Sequence, residues 1–170
     1  MIPTLFTARL TLRPQTMADF PAFAAFMASP RAQFMGGLPD GAQAWDWFAS
    51  DQAQWSLLGW GGLSVVETAS GRLVGQVKVI RPPAFPETEL GWIAYDEGQG
   101  FMTAAAQALI GWAFGPRGLV TLVSYVNRAN ARAIRLAGRL GAVPDAVAAT
   151  PGGIDCLTYR ITNRGQHVSR

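Results

Sequence analysis

The alternation of apolar and polar positions near the start of the chain predicts one strand followed by two helices. Arg9 to Arg13 alternates strictly and predicts the strand. Thr16, followed by Asp19, resembles a helix cap, and phenylalanines then recur at helical spacing. Beyond a loop marked by the glycines and proline at 36–41, a second helix is predicted from about Ala42 to Leu58.

The centre of the chain is rich in valine and has the alternation of β-structure. Gly62 to Thr68 and Leu73 to Ile80 predict the two strands of a hairpin, with a tight turn at 69–71. A stiff proline loop at 82–86 follows, and Glu89 to Tyr95 predicts the next strand. That strand runs directly into a glycine-rich turn.

The second half of the chain alternates between helix and strand patterns. These elements are, in order, a helix after Gly100 that ends at Gly115-Pro116, a strand at 120–126, a helix at 130–140 closed by Gly141, and a strand at 156–161. Val143-Pro144 breaks the pattern, Pro151 to Gly153 is the predicted turn of a closing hairpin, and the tail at 163–170 is expected to be frayed. We therefore predict a single α/β domain over residues 1–170 with a mixed sheet.

Composition narrows the class of protein. Of the 170 residues, 49% are hydrophobic and only 15% are charged, which fits a compact domain with a substantial core. The single cysteine, Cys156, excludes an internal disulfide and indicates a reducing cytoplasm. The N-terminus lacks a secretory-signal layout, and no apolar run has the length of a membrane span. We expect a soluble cytoplasmic protein without a membrane partner.

Charged and metal-binding residues exclude further classes. The net charge of +3 comes without the Lys/Arg run of a nucleic-acid arm, so no nucleic-acid partner is expected. One histidine, His167, and one cysteine cannot supply a zinc cluster, and no metal site is predicted. A basic helix face is predicted instead, solvated or in contact with an anionic ligand, from arginines that step by four, three and four: Arg128, Arg132, Arg135 and Arg139.

The junction between the strand at 89–95 and the following helix is the most informative stretch for function. Gly98 and Gly100 permit unusual torsions and close approach of a ligand to the backbone, although an ordinary turn is the alternative interpretation. The first N–H groups of the helix, with its dipole, form a site for an anion such as phosphate. The pattern is neither a Rossmann fingerprint, which would need a glycine at Thr103, nor a Walker loop. Glu89 on the incoming strand adds a candidate general base.

Four segments of the chain resemble, in order, the GNAT N-acetyltransferases. Glu-Leu-Gly-Trp-Ile-Ala at 89–94, with Gly-Gln-Gly-Phe-Met-Thr-Ala-Ala at 98–105, is similar to the acetyl-CoA signature of that family. Residues 123–141 resemble the strand and helix that follow it, and 7–14 and 71–75 resemble the RimJ/RimL-like branch. The resemblance implies the GNAT fold: a mixed, mostly antiparallel sheet of about seven strands and about four helices, with a V-shaped split between two central strands.

The resemblance also implies an enzyme that moves the acetyl group of acetyl-CoA to a primary amine by direct attack. The amine would belong to a protein N-terminus or a small molecule. The amides at 98–102 would hold the pyrophosphate, the backbone at 92–95 would pair with the pantetheine arm, and an N–H near Ile93 would polarise the thioester carbonyl. Asn130 would contact the arm or cap its helix. The implied acetyl-CoA-binding residues are Trp92, Ile93, Ala94, Tyr95, Gly98, Gln99, Gly100, Phe101, Met102, Thr103 and Asn130.

Glu89 matches the position of the general base in several GNAT members. An attacking ammonium must first lose a proton, which a carboxylate can accept. An ion-paired strand glutamate is the alternative, and Glu87, on the same side of the strand, is the fallback base. Since Cys156 lies far along the chain from the motif, no covalent enzyme intermediate is expected.

The proton donor to the CoA thiolate has no obvious candidate. Relatives carry a serine or a tyrosine where this chain has Ala133 and Ala137, which leaves Tyr125 and Tyr159 as substitutes. The acceptor pocket would be lined by aromatic residues of the second helix and the proline loop: Trp45, Trp47 and Phe85. Two rival functions stay open, a non-catalytic acyl-CoA-binding or regulatory protein and a nucleic-acid-binding module. The aromatic surplus is compatible with a homodimer without requiring one.

Overall fold

A computed structural model describes residues 1–35 and 40–163; the predicted loop residues at 36–39, His167 and the rest of the predicted tail lie outside this part of the chain. The strands are β1 (Leu5–Phe6), β2 (Leu10–Pro14), β3 (Gly62–Glu67), β4 (Leu73–Ile80), β5 (Glu89–Ala94), β6 (Thr121–Val126), β7 (Val143–Pro144) and β8 (Leu157–Thr162). The helices are α1 (Phe20–Met27), α2 (Gly41–Leu57), α3 (Phe101–Phe114) and α4 (Ala131–Arg139), with short 3-10 turns at Met17–Asp19, Pro30–Ala32 and Pro151–Gly153.

The strands form one mixed, mostly antiparallel sheet, as predicted. Their order is β1-β2-β3-β4-β5-β6-β8-β7, and the only parallel neighbours in the described sheet are β5 and β6. These two central strands share a single register pair, Glu89 with Val123, whereas β5 pairs with β4 along its whole length. The sheet therefore opens between β5 and β6, which confirms the predicted split.

The differences from the predicted elements lie at the edges of the sheet. The described residues form eight strands rather than about seven, and β1 and β7 contain two residues each. Val143-Pro144, predicted to break the pattern, forms β7 and pairs with β8 as the closing hairpin. Proline is tolerated there because β7 is an edge strand, where one N–H needs no partner. Pro14 likewise belongs to β2, one residue beyond the predicted end of that strand at Arg13.

The two faces of the sheet pack against different helices. Leu90 of β5 is buried with Leu109 of α3, whereas Ile93 is buried with Phe23 of α1 and Phe48 of α2. Because side chains alternate along a strand, Glu89 points to the same face as Ile93. Glu89 thus lies on the α1/α2 face, at the point where β5 and β6 part. No described helix is both long and apolar enough to cross a membrane.

Candidate active site

Side chains replace the backbone ladder where β5 and β6 separate. Beyond the pair of Glu89 with Val123, the carbonyl of Leu90 accepts a 2.7 Å hydrogen bond from Ser124 Oγ. The N–H of Tyr125 donates to Glu89 Oε1 at 3.4 Å. The Glu89 carboxylate therefore sits at the apex of the cleft, held by the strand that diverges from its own.

The open edge of β5 faces the cleft. Since the Leu90 carbonyl is directed to β6, the N–H and carbonyl of Trp92 have the same direction. The intervening residues face β4, where Ile93 opposes Gln76 and the Tyr95 N–H donates to the Val74 carbonyl at 3.0 Å. The free donor nearest the apex is thus the N–H of Trp92. This N–H is the candidate for the predicted donor near Ile93.

The glycine turn leaves a row of backbone donors open at the start of α3. Gly98 and Gly100 have φ of +82° and +71°, and a Cβ added at either would meet no atom within 4 Å, so the torsion rather than space requires glycine. Gly100 is the N-cap and has no side chain to cap the helix. Within the described residues, 1–35 and 40–163, no group accepts a hydrogen bond from the N–H groups of 98–103. This row, at the positive end of the helix dipole, suits an anion.

Replacement of Gly100 by alanine is expected to lower the free energy of unfolding by about 1 kcal/mol, because alanine is strained at positive φ. Thermal unfolding should show this as a melting temperature lower by about 2–4 °C. Gly111→Ala is the matched control, since Gly111 lies inside α3 with open space at its Cβ and alanine favours a helix interior. A Gly100→Ala protein as stable as the Gly111→Ala protein would contradict the assigned torsion.

Arginines from two sides of the cleft converge on the loop before Gly98. Arg31, in the turn after α1, donates to the carbonyls of Ala94 at 2.6 Å and Tyr95 at 2.9 Å, and to Glu97 at 2.7 Å. Glu97 also pairs with Arg132 of α4. Arg31 and Glu97 were not predicted as site residues from the sequence. The position of Glu97 directly before the glycine turn was the one signal that could have indicated its place in the site.

Two more arginines border the start of α3. Arg9 Nη1 donates to the Gln99 carbonyl at 3.2 Å, and its guanidinium lies 4.5 Å from the centre of the Phe101 ring. Arg139 Nε donates to Thr103 Oγ1 at 3.3 Å. These positive charges flank the open amides and suit a ligand with several phosphate charges.

The predicted basic helix face is only partly correct. Arg128 precedes α4 and pairs with Asp155, so it lies outside the helix. Arg132 and Arg139 belong to α4 but contact the glycine loop and α3. Asn130 is the N-cap of α4 and its Oδ1 accepts from the Ala133 N–H at 3.1 Å, as the capping interpretation predicted.

The two candidate bases have opposite electrostatic environments. Burial of its carboxyl raises the pKa of Glu89 to about 7, and the nearby Lys78 and the Tyr125 N–H oppose this rise. Glu87 instead forms two hydrogen bonds, of 2.6 and 2.8 Å, with Arg160, which lower the pKa of that carboxyl. A base poised near neutral pH is the more effective proton acceptor, so these environments favour Glu89 over Glu87 as the candidate base.

Aromatic and thiol groups of the proline loop, β6 and the segment before β8 border the apex. Phe85 packs edge-on against Tyr125 with ring centres 5.5 Å apart, and the Tyr125 hydroxyl is buried without a partner among the described residues. Tyr159, the other candidate proton donor, lies in β8 opposite Ser124. Burial and the charge of Glu89 raise the pKa of Cys156, which keeps the thiol protonated and makes it a poor nucleophile despite its proximity in space.

The tryptophans proposed to line an acceptor pocket lie between the first two helices. Trp45 is 41% exposed and packs edge-on against Phe20 at 5.2 Å. Trp47 packs against the apolar cluster of α1 and α2. Of the three predicted lining residues, Phe85 is the one that contacts a neighbour of Glu89.

Comparisons with known proteins identify the family and agree with the fold. The family model of the acetyltransferase (GNAT) domain matches residues 9–143. An acetyltransferase structure from Agrobacterium tumefaciens is 44% identical, with a TM-score of 0.91 over 95% of each chain. A GNAT-family acetyltransferase from Bordetella pertussis is 26% identical, with a TM-score of 0.75 over 93% of this chain and 98% of that one. RimL, a ribosomal-protein α-N-acetyltransferase solved with coenzyme A, shares the fold at 14% identity, with a TM-score of 0.73 over 94% and 98%. No curated protein sequence matches the chain.

Proposed function

The chain belongs to the GNAT family of acetyltransferases, and on this premise we propose how its residues carry the acetyl group of acetyl-CoA to a primary amine. The observation that carries the proposal is the cleft between β5 and β6, which joins the unpaired amides of 98–103 to the carboxylate of Glu89. An anion site and a base at two ends of one cleft are what acetyl transfer from a nucleotide thioester requires.

The cosubstrate would lie along the open edge of β5. The amides of 98–102 would bind the pyrophosphate, and Arg9 and Arg139 would add positive charge beside it. Within the predicted stretch at 92–95, the N–H and carbonyl of Trp92 and the N–H of Ala94 would pair with the pantetheine arm in place of a strand, since Ile93 and Tyr95 face β4. Asn130 uses Oδ1 to cap α4, so its amide nitrogen would be the group that contacts the arm.

Acetyl transfer would take place at the apex. The amine nitrogen attacks the thioester carbonyl, the new N–C bond forms, the C–S bond breaks and the sulfur leaves as a thiolate. Glu89 accepts the proton that the amine must lose, directly or through a water. The N–H of Trp92 would donate to the carbonyl oxygen as negative charge develops there. The thiolate is a good leaving group near neutral pH, so a weak acid such as Tyr125 or Tyr159, or a water, would suffice to protonate it.

The acceptor would approach from the side of Phe85 and Tyr125. The name of the RimL structure makes a protein N-terminus one acceptor to test, beside a panel of small primary amines. The cytoplasmic location, inferred from the single cysteine, and a homodimer both stay predictions.

The proposed cosubstrate is tested first by thermal unfolding with acetyl-CoA, desulfo-CoA and ATP. A ligand at a hundred times its dissociation constant adds about 2.7 kcal/mol, which raises the melting temperature by about 5–10 °C. We expect the rise with acetyl-CoA and desulfo-CoA but not with ATP. No rise at millimolar acetyl-CoA would overturn the proposal. A rise without turnover on any amine would support the non-catalytic rival.

A further inference from the structure

Lys78 is the only lysine of the chain, which otherwise uses arginine for positive charge. It lies in β4 opposite Gly91 of β5. Ile80, the next residue of β4 on the same face of the sheet, lies opposite Glu89. Lys78 is therefore the diagonal neighbour of Glu89 on the α1/α2 face of the sheet. The only lysine of the chain is thus placed beside the proposed base.

The stem of Lys78 has a fixed path across the sheet. A Cβ at Gly91 would stand 3.2 Å from Lys78 Cγ and 3.3 Å from its Cε, so the lysine stem occupies the space that any larger residue at position 91 would need. The Nζ group then reaches Asp51 of α2, at 3.0 Å from Oδ2 and 3.3 Å from Oδ1. Gln76 Nε2 holds the same Oδ2 at 2.7 Å.

The pair formed by Lys78 and Asp51 is buried. The side chains are 12% and 5% exposed, and removal of two charges from water is costly unless they are paired and hydrogen-bonded. Among the described residues, no cation lies within ion-pair distance of Glu89. The lysine next to Glu89 is held by a different carboxylate.

Four titratable groups face Glu89 from the surrounding elements. Lys78 of β4 lowers the pKa of Glu89, and Asp51 of α2 raises it. Tyr125 of β6 donates its N–H, and burial, with the charges of Glu87 and Glu89, raises the pKa of its phenol. Burial and the charge of Glu89 raise the pKa of the Cys156 thiol, which precedes β8. Among these groups only Lys78 carries a positive charge. It is therefore the group that can offset the effect of the others on the pKa of Glu89.

We propose that Lys78, held by Asp51, is a positioning residue that controls the protonation of Glu89 without contacting the substrate. Asp51 prevents Lys78 from forming an ion pair with Glu89. Such a pair would keep Glu89 ionised and engage the oxygens that must accept the proton. The proposal rests on the proposed role of Glu89 as the base.

The test follows the carboxyl carbon of Glu89 by ¹³C NMR as pH is varied. The chain has only four glutamates, and the signal lost in Glu89→Gln identifies the residue. Asp51→Asn is expected to lower the titration midpoint by about one pH unit, because the released lysine can pair with Glu89. Lys78→Met is expected to raise the midpoint by about one pH unit, and Lys78→Arg, which keeps the charge, is expected to keep it. The midpoint of kcat/KM against pH should move in the same direction in each variant.

Arg117→Met is the matched control, since it removes one positive charge at the far end of α3, where Arg117 binds the Leu58 carbonyl. Its midpoint should equal that of the wild type. If Asp51→Asn fails to fold, the doubly neutral Asp51→Asn/Lys78→Met protein replaces it, with a midpoint expected between those of wild type and Lys78→Met. Unchanged NMR midpoints in both Lys78→Met and Asp51→Asn would overturn the proposal. Midpoints that move while the rate profile stays fixed would uphold the coupling and refute Glu89 as the base.

Discussion

Replacement of Glu89 by glutamine is expected to lower kcat by about 10²- to 10⁴-fold, the range typical of a lost general base. Glutamine keeps the shape of the side chain and an oxygen for the Tyr125 N–H, but it cannot accept a proton from the amine. Binding of acetyl-CoA should persist, because the open amides of 98–103 are untouched. Steady-state kinetics with a responsive amine, beside thermal unfolding with acetyl-CoA, separates the two effects.

The pH profile identifies the residue responsible. In the wild type, kcat/KM should rise with pH and level off above about 7, as Glu89 loses its proton. Glu89→Gln should lose this rise. Glu87→Gln is the control and should keep the rise. Glu87 is hydrogen-bonded to Arg160, which lowers the pKa of its carboxyl and so moves it away from the pH range of this rise. A variant of Glu89 that retains both the rate and the rise would exclude it as the base and direct attention to Glu87 or a water.

Elements with a long pattern were predicted nearly to the residue. The strand from Leu73 to Ile80 has the predicted bounds, because valine-rich alternation between two turns leaves little freedom. The helix after Gly100 also begins where predicted, because a glycine with positive φ sets its start. β7 was missed because two residues are too few to show an alternation. Its strand character comes only from its pairing with β8 in the folded protein.

The site could be predicted only where it lies on one continuous segment. Glu89 and the glycine turn belong to a single strand–turn–helix unit, so their spacing was visible. The ion pair of Lys78 with Asp51 joins residues 27 positions apart on a strand and a helix, and periodicity contains no information about such contacts. The choice of Trp92 as the donor near Ile93 likewise needed the hydrogen bonds to β4 and β6, since sequence alternation does not say which edge of a strand is paired.

Glu89→Gln is also expected to stabilise the fold at alkaline pH, by about 3 kcal/mol relative to the wild type. Burial raises the pKa of Glu89 from its ordinary 4.5 to about 7, so between these values the folded protein holds a proton that the unfolded chain releases. Stability therefore falls as pH rises through this window. Below it the carboxyl is neutral in both states, and above it the full cost of the buried charge remains, at about 1.4 kcal/mol for each pH unit that the window spans.

Urea unfolding of both proteins at about pH 5 and pH 8.5 measures this difference without any substrate. The glutamine variant should gain stability over the wild type as pH rises, because all other titrating groups are shared and cancel in the comparison. A difference in stability between the two proteins that is the same at both pH values would mean that Glu89 ionises as it does in water, and its suitability as a base near neutral pH would lose its physical cause. A gain in stability paired with the loss of turnover would instead identify the buried carboxylate as a destabilising group that function requires.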